Sequence, residues 1–422
     1  MNFDDNSLYN IKSSVDGKRY SLFELATWKN GLAFKKINFC ETGVPVIKIA
    51  ELNNGIGGTT AYTQQTFSED VHLCKGDLLF SWSGNPQTSI DIFRFNLDEG
   101  WLNQHIFKVT PDEKIVDRDY FYFLMKNLKP HFTQIATNKQ TTGLGHVTIA
   151  DIKRMSVVIP SLDVQREMVS YIKPIDDKIE LNNEINNNLA EQIKTICTAW
   201  LSDYAPFGGV LPDDWSKTPL SSIADFVSGY SYKGAELTES NIAMATIKNF
   251  DRKGGFKLDG YKEIVPSSKL KDTQHAELFD TLVAHTDLTQ NAEVIGNAEP
   301  VMSKSGYSDI VFSMDLVKVV PKNNHISKFL IAAILQDKKF KAHCLGYVNG
   351  TTVLHLSKKA LPEYQLYLPD DLSALKPLDE LVTALYQQIS ANIEEITKLE
   401  ALRDTLLPKL MSGELDVSDT DI

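Results

Sequence analysis

Two stretches of this chain carry the same apolar stripe, and that repetition constrains the fold more than any other feature. Ile172, Ile175, Ile179, Asn182, Asn186, Leu189, Ile193, Ile196 and Trp200 follow one another at alternating steps of three and four residues. That is the seam of a heptad helix, which keeps one stripe buried against a partner helix. Adding 210 to each number gives Val382, Leu385, Ile389, Asn392, Ile396, Leu399, Arg403, Leu406 and Leu410, with the same period and phase. One such stripe fits an ordinary core helix equally well. Two in one chain predict a pair of long helices, from Leu162 to about Leu201 and from Leu372 to about Met411. They are expected to pack on each other as an antiparallel coiled coil. Both series hold an Asn at the same seam position, Asn182 and Asn392. A polar seam residue weakens a coil but fixes its register, so these two are expected to meet and lock the helix pair. Solvent exposure at a frayed seam is the plainer alternative.

The echo extends beyond the helices. Tyr20 to Lys35 aligns with Thr218 to Lys233 at an offset of 198, so that Leu22/Leu220, Ala26/Ala224, Gly31/Gly229, Phe34/Tyr232 and Lys35/Lys233 coincide. Val44–Ile49 and Ile242–Ile247 alternate like strands, and each precedes a Gly-rich turn. Lys75-Gly-Asp-Leu-Leu-Phe-Ser81 matches Leu278-Phe-Asp-Thr-Leu-Val-Ala284. Tyr120–Ile135 matches Ile326–Cys344 as a short helical pattern, followed in each half by a Thr-Thr loop and an apolar strand ending at Pro160 or Pro369. The period is far longer than the 20–50 residues of a solenoid. The prediction is an α+β chain with a pseudo-two-fold internal repeat, two similar globular domains separated by the two helices. The segments are 1–160 (first domain), 161–205 (central helix), 206–370 (second domain), 371–415 (C-terminal helix) and 416–422 (acidic tail). Pro174 and Pro377, inside the first turns of the two patterns, predict a kink or a delayed start of the regular helix.

The net charge of −12 argues on its face against a nucleic-acid partner. Its distribution does not. Residues 1–160 carry 17 Lys+Arg and 17 Asp+Glu, and residues 206–370 carry 18 and 19. The excess acid sits on 161–205 (4 against 8) and 371–422 (4 against 11), so each globular half is free to present a basic face. No apolar run approaches the roughly 18 residues of a membrane span, and Met1-Asn2-Phe3-Asp4-Asp5 has no secretory pattern. Cys40, Cys74, Cys197 and Cys344 are scattered, which fits a reducing cytoplasm and neither a zinc site nor a disulfide framework. No phosphate-binding loop, H-E-x-x-H or G-x-S-x-G motif occurs, and the nine histidines show no ligand spacing. Asn85-Pro86-Gln87-Thr88 is similar to the base-gripping loop of adenine methyltransferases but lacks its second Pro and its aromatic residue. No catalytic residue, metal or cofactor is expected. The chain reads as a binder or organiser.

The architecture resembles one family, the specificity subunits of type I restriction–modification systems. Leu406-Leu-Pro-Lys-Leu-Met-Ser-Gly-Glu-Leu-Asp-Val417 is similar to their C-terminal signature. Val157-Val-Ile-Pro-Ser-Leu-Asp-Val-Gln-Arg-Glu167 resembles their strand-to-helix step, with Met168 in place of the usual Ile. Leu368-Pro-Asp-Asp-Leu in the second half keeps the Pro but not the Gln-Arg pair. The resemblance implies that each globular half is a target-recognition domain reading one half of a bipartite double-stranded DNA sequence. It implies that the helix pair is a spacer docking two methyltransferase subunits, that restriction/translocase subunits join through that complex, and that methyl transfer belongs to the partners. A helix of about 40 residues spans on the order of 60 Å, between one and two turns of duplex. A stand-alone DNA-binding or organising protein, or an enzyme whose site is not recognisable, are the competing readings.

For DNA contact the polar loops flanking the last strand of each half are favoured, because Asn and Gln pair with adenine edges and Thr reaches a thymine methyl or a phosphate. In the first half these are Ser81, Trp82, Ser83, Asn85, Lys139, Gln140, Thr141, Thr142 and His146. In the second they are His285, Thr286, Thr289, Gln290, Asn349, Thr351, Thr352 and His355. Lys35, Lys36 and Lys233 are candidates for phosphates. Runs of Thr, Ser and Asn serve equally as turn chemistry that satisfies the backbone.

Overall fold

The computed structural model describes residues 5–140, 143–252, 254–289, 291–322 and 324–415. They form two compact units, one of residues 1–177 with 400–422 and one of residues 178–399. Each unit therefore takes a segment of both long helices, a division different from the sequence-based one in which the helices stand apart from the domains. The cause is burial. A lone amphipathic helix is unstable in water, and each helix end supplies apolar side chains to the domain beside it.

In the first unit a four-stranded antiparallel sheet runs in the order Ala26–Asn30, Ile106–Pro111, Leu78–Ser81 and Asp91–Arg94. A second sheet orders Tyr62–Thr63, Val44–Ile47, Glu99–Leu102 and His72–Cys74, its two inner strands parallel. The sequence reads one helical pattern after the sheets. The structure breaks it into Arg118–Asn127 and Lys129–Asn138, with Leu128 between them and Pro130 in the first turn of the second helix, a position where proline costs no hydrogen bond. Tyr120, Phe121, Phe123 and Phe132 lie fully buried against the first sheet. Met168, Val169 and Ile172 of the central helix share that core with Leu407, Leu410 and Met411 of the C-terminal helix.

The second unit repeats the plan. Its sheet runs Ala224–Ser228, Leu316–Pro321, Thr281–Ala284 and Ala298–Pro300. Beside it, Lys262–Glu263, Ile242–Ala245 and Asp309–Phe312 again include a parallel pair. Helices Lys328–Leu335 and Lys338–Leu345 follow. The equivalence reaches atomic detail at Gly31 and Gly229. A Cβ on Gly31 would stand 2.2 Å from the Asn103 carbonyl oxygen, and one on Gly229 2.0 Å from that of Ser313. In both places the backbone of the first sheet crosses that of the second too closely for any side chain.

The central helix spans Leu162–Leu201 and continues through Pro174. The C-terminal helix starts late, at Lys376, after a 3-10 turn over Leu372–Leu375, which leaves Pro377 in its first turn. Within the second unit the two run antiparallel, and the seam differs from the expected Asn–Asn contact. Asn182 Nδ2 donates to Glu395 Oε2 at 2.7 Å, while Asn392 Nδ2 donates to Asn186 Oδ1 at 2.8 Å. Both are buried, at 1% and 6% exposure. Antiparallel packing explains the change. The repeat copies each Asn onto its own helix, but the register between the helices brings Asn392 opposite Asn186 and leaves Asn182 opposite Glu395.

Candidate nucleic-acid interface

Each unit brings its two groups of candidate residues together in a short β ribbon at the end of the first sheet. In the first unit Ser83–Gly84 pairs antiparallel with Gly145–His146, so that His146 faces Ser83. In the second Thr286–Asp287 pairs with Leu354–Leu356, and Val348–Asn349 lies on the other side. Residues far apart in sequence, as Thr286 and His355, become cross-strand neighbours. The ribbon follows from local chemistry. The strands Leu78–Ser81 and Thr281–Ala284 are buried along their whole length, and the chain leaves each core through small and polar residues that pair with Gly145–His146 in the first unit and Leu354–Leu356 in the second.

The arrangement sorts the candidates. Ser81 is fully buried with no partner on its hydroxyl, because it closes a strand inside the sheet, and it cannot meet a ligand there. Thr286 is buried at 6% exposure and lies 3.4 Å from His355 Nδ1. Thr289 donates its hydroxyl to Asp287 at 2.8 Å, and the same carboxylate takes the Val294 amide at 2.7 Å. Burial pushes the Asp287 carboxyl up, but these donors outweigh it and hold it below the usual range. Thr289 thus has a turn role. Lys139 is engaged too, its Nζ lying 2.5 and 2.6 Å from the two oxygens of Asp151. Asn85 is exposed, and its side chain accepts the Gln87 and Thr88 amides at 3.0 and 3.3 Å, an Asx turn. Asn85-Pro86-Gln87-Thr88 is therefore a surface turn.

What the ribbons offer to a partner is narrower. In the first unit Trp82 stacks on Phe107 at 5.7 Å and donates Nε1 to Asn30 at 3.0 Å, a rigid, half-buried aromatic. Ser83 and His146 lie half-buried beside it, and Gln140 is exposed. In the second unit Asn349, Thr351, Thr352 and His355 are exposed. His285 lies half-buried below them, and burial, reinforced by Lys358 and His355, pushes its imidazole down to about 4, so it is neutral at pH 7. Thr141, Thr142 and Gln290 lie outside the described residues. Lys35, Lys36 and Lys233 are exposed, but on 3-10 turns outside the ribbons.

Sequence reasoning missed Lys358 and Lys359. Both are exposed just beyond His355, and among the described residues neither is held in an ion pair. The signal was present as a Lys-Lys step after an alternating strand, and only the ribbon makes it meaningful. Rigid aromatics, amides and free ammonium groups at the end of a sheet suit base edges and phosphates.

Comparison with known proteins gives similarities of sequence and of fold. Residues 15–191 match the family model described as the type I restriction modification DNA specificity domain. The specificity subunit of the type I restriction enzyme HindI of Haemophilus influenzae is 22% identical, over 81% of this chain and 87% of that one. The MjaVIII specificity subunit of Methanocaldococcus jannaschii is 20% identical over 83% and 82%. The crystal structure of a type I restriction–modification S subunit from M. genitalium superposes with a TM-score of 0.52 at 16% identity, over 95% of this chain and 97% of that one. That last likeness is one of fold.

Proposed function

We propose that this chain is a specificity subunit of a type I restriction–modification system that recognises a DNA target, a reading supported by the family match over residues 15–191 and by the two relatives, and that its parts divide the work. The globular halves, residues 1–160 and 206–370, each read one half of a bipartite duplex sequence. The paired helices recruit two methyltransferase subunits, and restriction subunits join through that complex. The observation that carries the reading is the recurrence of one polar ribbon at the same place in both units. Base contact falls to Trp82, Ser83, Gln140 and His146 in the first and to Asn349, Thr351, Thr352 and His355 in the second, with Lys358, Lys359, Lys35, Lys36 and Lys233 on phosphates. Leu181 and Ile185, one turn apart on the central helix and 49% and 36% exposed, support protein docking there. Methyl transfer is the partners' chemistry.

Long-read methylation mapping in cells carrying this chain and a methyltransferase partner tests the proposal. The expected result is a split sequence with an unread spacer. Replacing Asn349 and His355 with Ala is expected to relax one half only. A continuous recognition sequence, or relaxation of both halves at once, would sink it. Failure of any methyltransferase to co-purify would favour a stand-alone DNA-binding protein.

A further inference from the structure

We infer that Asp176 and Arg403 are positioning residues that hold the first recognition sheet at a set angle on its helix segments, and so set how strictly the two half-sites must be spaced. The inference rests on the DNA reading proposed above. Arg94 ends the edge strand Asp91–Arg94 and reaches the helices. Its Nη1 lies 3.1 Å from Asp176 Oδ2 and its Nη2 3.1 Å from Asp119 Oδ1. The guanidinium lies over the Tyr122 ring at 3.9 Å. The other oxygen of Asp176 takes Arg403 Nη1 at 3.2 Å. One carboxylate thus joins an arginine of the sheet to an arginine of the C-terminal helix from its own place on the central helix. All three side chains are mostly buried, at 16%, 14% and 25% exposure.

A buried ionic cluster is a poor source of stability, since apolar residues of similar volume often do as well or better. What it adds is direction, because the planar guanidinium fork meets a carboxylate only in a few orientations. The repeat provides an internal comparison. Positions 176 and 403 correspond to Tyr386 and Ile193, both buried in the core of the second unit. There the edge strand Ala298–Pro300 reaches the C-terminal helix through an amide and a phenol, with no arginine. Tyr386 Oη donates to Gln336 at 2.6 Å, and Gln336 Nε2 donates to Glu299 at 2.7 Å. A charged residue at this seam position is therefore a departure specific to the first unit, and Arg403 is shared there between Asp176, at 3.2 Å, and its helix neighbour Asp404, at 2.9 Å.

The test measures methylation by the assembled complex on duplexes whose half-sites are separated by the native spacer or by one base pair more or fewer. The unaltered chain is expected to reject the wrong spacers by about tenfold or more, the scale of one mismatched base pair, and Arg403→Met to reject them by only about threefold. Activity on the native spacer and reading of the second half-site are expected to change little. Arg403→Lys, which keeps a charge on Asp176, is expected to keep most of the discrimination. Should Arg403→Met fail to fold, Asp176→Asn carries the same expectation. An equal loss on all three spacers, or unchanged discrimination in a folded variant, would overturn the inference. If the unaltered chain directs no bipartite methylation at all, the parent reading falls and takes this one with it.

Discussion

At the scale of single residues, burial decides more than residue type. Gly31 and Gly229 coincide in the sequence repeat, and the structure gives the reason, since a Cβ at either place collides with a carbonyl of the neighbouring sheet. Gly229→Ala is expected to destabilise the second unit by about 1–3 kcal/mol, read as a lower denaturation midpoint. No change would mean that the two sheets part easily. Glu299 is the second case. Burial pushes its carboxyl up to about 7, although the Gly255 amide and Gln336 oppose the shift. In the unfolded chain it ionises near 4.5, so between about pH 4.5 and 7 the unfolded state sheds a proton that the folded state keeps, and stability falls as pH rises. Glu299→Gln is expected to shrink the loss of melting temperature between pH 5 and pH 8. An unaltered slope would place the titrating group elsewhere. Among the DNA candidates, the residue types were legible in the sequence and their accessibility was not. Ser81 and Thr286 look as polar as Ser83 and Asn349, yet both are buried, Ser81 closing a strand of the first sheet and Thr286 opening a strand of the ribbon.

At the scale of elements, periodicity was the most reliable guide. The heptad seam found both long helices, since one buried stripe has only one geometry that keeps it covered. It failed on partners, because which residue faces which depends on the offset between helices and not on the repeat. Asn182 accordingly meets Glu395 while Asn392 meets Asn186. Each seam amide is still a polar group where a leucine would bury apolar surface. Asn182→Leu combined with Asn392→Leu is therefore expected to stabilise the chain, by roughly 1 kcal/mol per site after the lost hydrogen bonds are counted, without altering half-site reading. A lower melting temperature would show that these amides hold the pair together. The ribbons were invisible as elements because each strand is only two or three residues long, too short for any period.

At the scale of the whole molecule, the two ends of the chain belong to one unit. Leu407, Leu410 and Met411 pack with Met168 and Ile172 in the core of the first unit, and Ser14 N donates to Ser412 O at 2.8 Å. Removing the residues after Leu399 should therefore damage the first unit, which is far away in sequence, and spare most of the second. Losing three such side chains costs on the order of 5 kcal/mol or more. Limited proteolysis is expected to cut the truncated chain first within residues 1–177. Preferential cutting in the second unit would contradict this division.

The sequence by itself determined the repeat and the helix pair, because the period of an apolar stripe and the spacing of an echo are properties of the chain alone, and its charge placement left a nucleic-acid partner open. Tertiary structure alone decided which helix ends complete which core, which candidate side chains reach the surface, and what an arginine in the seam is paired with. Those outcomes depend on contacts between residues as far apart as Asp176 and Arg403. Such contacts are chosen by packing, and local pattern carries no record of them.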